Sequence, residues 1–357
     1  MDKTLLFALL FFGTTYAQLS IDNVTKNHDG TFIGNNVQYT PTQLATTVLV
    51  TPNSPTVQQT VFPTAIIFNR SLPNQGKAIT YNDQAGKWET GLNAGNLGLG
   101  SNEYGLLLTT GKTEVAFGPN NSPNGTWVST IPIPVQDDPD LQILAGTGNT
   151  VRNVSILEFD FVAQGNIVSF EYVFSSEEYP EYIDSPYNDS FGFFLSGIGI
   201  AGGIGYSNDA VNLAVLPVTD TENQNVTIGN VNHVRNSDFY TSNGKGTTPL
   251  INTYTQYDGF TKLLTAKYEG LVTGETYHLK IAIGNVGDNA FDSGVFLKSP
   301  IINYNGVLSK KSFLDNNIQL YPNPANNKIQ VNINKSGENL ESIIFYDIIG
   351  KRVMTLS

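Results

Sequence analysis

The sequence predicts an all-β chain. Its main domain reads as an antiparallel β-sandwich, jelly-roll-like, with one short N-terminal helix, and a small C-terminal β-sandwich follows. Three observations predict this. Aromatic residues make up 11% of the chain and glycine accounts for 34 residues, which together with many Thr, Val, Ile and Asn suits short strands joined by tight turns. From Val151 onward, short runs of alternating apolar and polar residues are broken by Gly, Asn and Asp. No helical period competes over that span.

Composition narrows the function classes. At 357 residues the prior is two or three domains, and 40% hydrophobic content is enough for a full core. Charged residues are only 14%, below the usual share of about a quarter. The formal net charge of -12 argues against nucleic-acid or anionic-membrane partners and fits an extracellular or cation-binding protein. The chain has no cysteine, so disulfides, thiolate metal sites, cysteine nucleophiles and lipoprotein anchoring are all excluded.

The elements follow in order. Residues 1–17 read as a signal peptide: Lys3, an apolar run from Leu5 to Phe12, and Thr15-Tyr16-Ala17 as a cleavage site. No other stretch approaches membrane-spanning length, so no transmembrane segment is expected in the mature chain. Residues 18–303 form the main domain. Its helix is predicted over Tyr39–Val50, with Thr40 as N-cap, Pro41 at the first helical position, Gln43 closing a capping box, and Leu44, Val48 and Leu49 on the apolar face. Phe62–Phe68 and Tyr104–Thr110 are expected strands, and Val135–Asp140 (VQDDPD) an acidic loop. Then come VSILEFDFVA, IVSFEYVF, SFGFFLSG, AVNLAVLPV, NVTIGNV, TKLLTAKY, ETYHLKIAIGNV and SGVFLKSPII, all read as strands. Residues 304–317 read as a linker. Residues 318–357 are a smaller unit, IQLYPNPANNKIQVNI then ESIIFYDIIGKRVMTLS, expected to be incomplete at its end.

Two resemblances rest on specific residues. LYPNPANNKIQVNI followed by FYDIIGKRV resembles the C-terminal sorting domain of the type IX secretion system of Bacteroidetes. That resemblance implies export by the type IX machinery through residues 318–357, with a secreted or outer cell-surface destination. TPTQLATTVL, YGLLLTTGKTEVAFGPN, FEYVFSSEEYPEYIDSPYNDSFGFFLSG, YDGFTKLLTA and GETYHLKIAIGNVGDNAFDSGVFLKS resemble the choice-of-anchor L domain family over roughly Tyr39–Ser299. This second resemblance implies an extracellular location and leaves the chemistry open.

The acidic, aromatic stretch Ser169–Ser196 holds the candidate site. No Lys or Arg occurs between Arg152 and Arg235, so its carboxylates should repel one another unless they face water or a cation. A second acidic turn, GDNAFDSG, spans Gly287–Gly294. Asp189 and Asp292 each stand just ahead of a strand, and the expectation is that they converge on one calcium ion. Glu177, Glu178, Asp184 and Asp288 are further candidate ligands. The spacing matches no standard calcium loop.

Two other readings of these carboxylates stand beside the cation. One is a solvated acidic loop with tyrosines packed beneath it. The other is a catalytic pair for glycoside hydrolysis, although Glu177 and Glu178 are adjacent and would point to opposite faces of a strand. Tyr179, Tyr182, Trp88 and Trp127 are candidate sugar-stacking residues. GLLLTTGKT (Gly105–Thr113) and the glycines at 197, 199 and 202 imitate nucleotide-binding loops, but neither precedes a predicted helix. His28, His233 and His278 share no metal spacing, and His278 reads as structural. The sequence thus points to a non-enzymatic surface binding or adhesion protein with calcium as candidate cofactor. An extracellular glycan or protein is the expected ligand, and a secreted carbohydrate-binding or carbohydrate-active protein is the alternative.

Overall fold

The computed structural model describes residues 19–21, 25–26, 32–33, 43–49, 63–68, 84–90, 97–116, 118, 120, 138–217, 225–244, 255–299 and 301–304 of the body. In the tail it describes 318–321, 330–333, 343–346 and 352–356. The chain divides into two compact units, Met1–Asn305 and Gly306–Ser357. The expected signal peptide and the linker 304–317, apart from Tyr304, lie outside the described residues.

The strands of the body are, in chain order, β1 (Leu19–Ile21), β2 (Thr25–Lys26), β3 (Phe32–Ile33), β4 (Thr64–Phe68), β5 (Ala85–Thr90), β6 (Tyr104–Thr109), β7 (Val151–Val162), β8 (Ile167–Ser176), β9 (Ser190–Gly197), β10 (Val211–Asn212), β11 (Tyr240–Ser242), β12 (Gly259–Thr261), β13 (Leu264–Glu269), β14 (Thr276–Val286), β15 (Ser293–Lys298) and β16 (Ile302–Tyr304). They build two antiparallel sheets, as predicted. The first runs β1-β5-β6-β15-β8-β12-β11, with β13 and β16 also paired to β8. The second runs β10-β9-β14-β7-β4, and β2 pairs with β3 separately. In the tail, β17 (Ile318–Tyr321) pairs with β18 (Gln330–Ile333), and β19 (Ile343–Tyr346) with β20 (Arg352–Leu356).

Alternation places the core between the two sheets. Phe170, Tyr172 and Phe174 of β8 meet Phe191 and Phe193 of β9, with Leu157, Phe159 and Phe161 of β7 and Leu279, Ile281 and Ile283 of β14 around them. Phe170 and Phe193 meet edge to face at 4.5 Å, and Phe191 and Phe193 at 4.6 Å, the geometry that opposed ring quadrupoles favour. A second apolar layer covers the outer face of the first sheet: Trp88, Leu107, Val173 and Phe296 under Leu97, Leu99, Tyr257 and Phe260. A third covers the second sheet, where Phe194 and Ala282 lie under Leu141 and Tyr206.

Three sequence expectations change. The N-terminal helix is described over Gln43–Leu49 and winds as a π-helix at Leu44–Leu49, with Leu44, Val48 and Leu49 buried as its apolar face. VQDDPD is not wholly a loop: Asp138 caps α1 (Pro139–Ala145), its carboxylate accepting from the N–H groups of Asp140 and Leu141, with Pro139 at the first helical position. AVNLAVLPV and NVTIGNV give only the short β10 and one bridge between Val215 and Asn225. Leu213, Leu216, Val226, Ile228 and Val231 are buried, but asparagines take the backbone partners a ladder would use. Asn212 accepts from the N–H of Phe193 and of Ala214, and Asn232 from those of Val234 and Arg235.

One buried ion pair pins α1 to the second sheet. The Lys280 ammonium on β14 donates to both oxygens of Asp138, at 3.0 and 2.9 Å, and pairs with Asp140. Beside it, His278 bonds Asp160 at 2.7 Å and Glu158 at 3.1 Å, and the Glu158 bond above all holds its pKa above the usual value. His278 thus ties β14 to β7 through two carboxylates. Lys280→Ala strands two buried carboxylates. It is expected to lower unfolding free energy by about 3–5 kcal/mol, read as a lower urea midpoint at unchanged slope.

Candidate functional site

The core has one polar end, and the register of the first sheet explains it. Ser176 at the end of β8 faces Ser293 at the start of β15 and Gly259 at the start of β12, and Gly259 faces Ser242 of β11. One residue further along each strand stand Asp292, Glu177, Asp258 and Asn243. The ladder continues through them: Glu177 donates to the Asp292 carbonyl at 3.0 Å, and Asn243 to the Asp258 carbonyl at 2.8 Å. Because side chains alternate, the serines face the core and this acidic row faces the outer layer. Three carboxylates therefore occupy neighbouring strands on one face, an arrangement that repels.

The inner compartment centres on Asp189, just ahead of β9. It accepts from the Val286 N–H at 3.0 Å and from the Ser293 hydroxyl at 2.6 Å, and Ser293 and Ser176 bond each other at 2.9 Å. Asp288 and Glu178 act electrostatically on this side; Glu178 accepts from the Asp189 N–H. In the outer compartment Glu177 is repelled by Asp258 and Asp292. Adjacent Glu177 and Glu178 thus part to opposite sides, as strand geometry predicts. Asp184 stands apart, paired with Arg235 at 2.5 Å on the exposed surface.

These acids are sealed from water. Glu177 is 2% exposed, Glu178 1%, Asp189 0% and Asp292 1%. Both Glu177 oxygens, Oε2 of Glu178 and Oδ1 of Asp292 have no hydrogen-bond partner. Burial pushes Glu177 and Glu178 well above the usual carboxyl range, with the neighbouring carboxylates adding to it. Burial likewise pushes Asp189 up to about 8, against the bonds from Ser293 and Val286, and Asp292 up to about 7, against a bond with Thr110. Gly111 is required here: a Cβ at that position would lie 1.8 Å from Oδ2 of Asp292.

The expected gathering of all six acids on one cation is not what this geometry offers. Among the described residues, no three His, Cys, Asp or Glu side chains are grouped to hold a single metal ion. The acids sort instead into two adjoining compartments. Sequence reasoning missed Asp258, Asn120 and Asn243, whose only signal was membership of Asn- and Asp-containing turns. The solvated-loop reading fails for Glu177, Glu178, Asp189 and Asp292, which water does not reach. The sugar-stacking expectation fails at Trp88 and Tyr179. Trp88 is fully buried and donates to the Leu106 and Leu297 carbonyls; Tyr179 is fully buried and donates to that of Val231. Tyr182 is half-buried against Tyr187 and Phe291. Trp127 lies outside the described residues. Neither glycine-rich imitation of a nucleotide loop opens an α-helix: a short 3-10 turn follows the first, and turns and β10 follow the second.

Comparison with known families gives two matches. The model of the Choice-of-anchor L domain matches residues 33–302, and that of the Secretion system C-terminal sorting domain matches residues 319–357. No curated protein and no solved structure matches the chain.

The buried acids carry a pH signature. Asp189 and Asp292 keep their protons in the folded state from the ordinary value of 3.8 up to about 8 and about 7 respectively. The folded chain therefore binds more protons than the unfolded one across that window, and stability is lost as pH rises through it. In metal-free buffer, urea midpoints should fall steadily from about pH 4 to pH 8, and Asp189→Asn should flatten the part above 7. Midpoints that rise over this range would contradict the assignment.

Proposed function

We propose a function from a fixed premise: the chain belongs to the choice-of-anchor L domain family and is a secreted, outer-surface protein. On that premise its body is a non-enzymatic binding or adhesion module, rigidified at its acidic end by calcium. The type IX machinery handles the tail, whose sorting signature spans residues 319–357. An extracellular glycan or protein is the ligand class that this location supplies.

The observation that carries the reading is that the acids are sealed while several of their oxygens stay unpartnered. A general acid or nucleophile must come within hydrogen-bond reach of its substrate, and Glu177, Glu178, Asp189 and Asp292 are enclosed. Yet four of their oxygens lack a partner, and a buried group in that state is costly. A hard cation with oxygen ligands answers both facts: it neutralises the row and ties together the loops that follow β8 and precede β12 and β15. The net charge of -12 favours cation uptake over binding to anionic surfaces.

Two measurements test this. Calcium at a hundredfold over its dissociation constant contributes about 2.7 kcal/mol, which is roughly 5–10 °C in the melting temperature of the full chain against chelator. Immobilised chain should retain an extracellular glycan or protein without releasing products. No thermal shift would remove calcium from the account, and release of shortened sugars would replace the binding module with a hydrolase.

A further inference from the structure

The outer compartment contains oxygens that the acidic row alone does not explain. Asn120, which is 2% exposed, reaches Asp258 from outside the sheet. Its amide nitrogen donates to Oδ1 of Asp258 at 2.7 Å and to the Asn243 carbonyl at 3.3 Å, while its own oxygen has no partner. Those acceptors fix the amide's orientation, because turning it over would set oxygen against oxygen. Ser175 lies two residues before Glu177 on the same face, and its buried hydroxyl is also unpartnered. Unpartnered oxygens therefore come from three separate segments, which are linked through the acidic row: Asp258 and Asp292 both act on Glu177, and Asp258 holds Asn120. This arrangement is unlike the inner compartment, where backbone and hydroxyl donors already bond to Asp189.

We propose that one hard divalent cation of the calcium type is bound in the outer compartment, by the Glu177 carboxylate, Oδ1 of Asp292 and the side-chain oxygen of Asn120. Asp258 is a positioning residue that holds the Asn120 amide. Two carboxylates balance the charge of the ion. Water and neighbouring oxygens such as that of Ser175 complete the about six to eight positions calcium takes. The site needs only two carboxylates, which agrees with the absence of any three-acid grouping among the described residues. The proposal rests on the calcium reading above and adds which oxygens hold the ion and which acids do not.

Calorimetric titration of the full chain with calcium tests it, together with Glu177→Gln, Asn120→Ala and, in the inner compartment, Glu178→Gln and Asp189→Asn. The expected result is one calcium per chain, at least tenfold weaker binding in each of the first two variants, and binding within twofold of the parent in Glu178→Gln. Glu177→Gln keeps the neutral state and the shape that the protonated acid has in chelator, so its melting temperature there should equal or exceed the parent's, which separates lost ligation from lost folding. If Glu177→Gln binds normally while Glu178→Gln or Asp189→Asn does not, the ion sits in the inner compartment; this assignment then falls and the calcium reading stands. If the parent chain binds no calcium, both fall.

Discussion

Like charge at one level of a sheet is the constraint around which this molecule is organised. Asp292, Glu177 and Asp258 follow one another across β15, β8 and β12, on the same face and out of water. Neighbouring strands in a sheet lie about 4.8 Å apart, so these charges cannot spread away from one another while the ladder holds. The chain continues the ladder nonetheless, with backbone bonds running through the acids themselves. The surroundings are shaped to admit the row. Glycine stands at 111 where any side chain would strike Asp292, and Asn120 caps Asp258.

The rest of the fold holds that row in place. Aromatic side chains packed between the sheets hold β8 and β9 each at a single register within its own sheet, because a slip of one residue would turn Phe170, Tyr172 and Phe174 out of the core. The same register decides which acid faces in and which faces out, so core packing and site geometry are one specification. The outer apolar layer of Trp88, Tyr257, Phe260 and Phe296 then shuts water from the acids. Exclusion of water raises the free energy of their charged forms and makes proton or cation uptake the two available remedies.

Much of this was legible in the sequence. Alternation in SFEYVF and SFGFFLS, with turns between, defined the strands that form the core, and adjacency alone placed Glu177 and Glu178 on opposite sides. The charge gap between Arg152 and Arg235 singled out the acidic loop. The remainder depended on distant partners. Nothing local distinguishes Asp184, which finds Arg235 at the surface, from Asp189, which is fully buried. Asp258 and Asn120 join the site only because β12 pairs with β8 and residue 120 lies against it. AVNLAVLPV reads as a strand by pattern, but Asn212 spends its side chain on the backbone and ends the ladder there.

The central claim is that the buried acids exist either protonated or bound to a cation. Infrared difference spectroscopy addresses it most directly. The full chain would be compared in chelator and in calcium at about pH 6, below the raised carboxyl values. The account predicts a protonated-carboxyl band in chelator that shrinks on adding calcium, with a matching gain of carboxylate signal and protons released to the buffer, while the inner acids keep their part of the band. A spectrum with no protonated carboxyl in chelator, unchanged by calcium, would mean that the acids are ionised without a partner. That result would contradict the account.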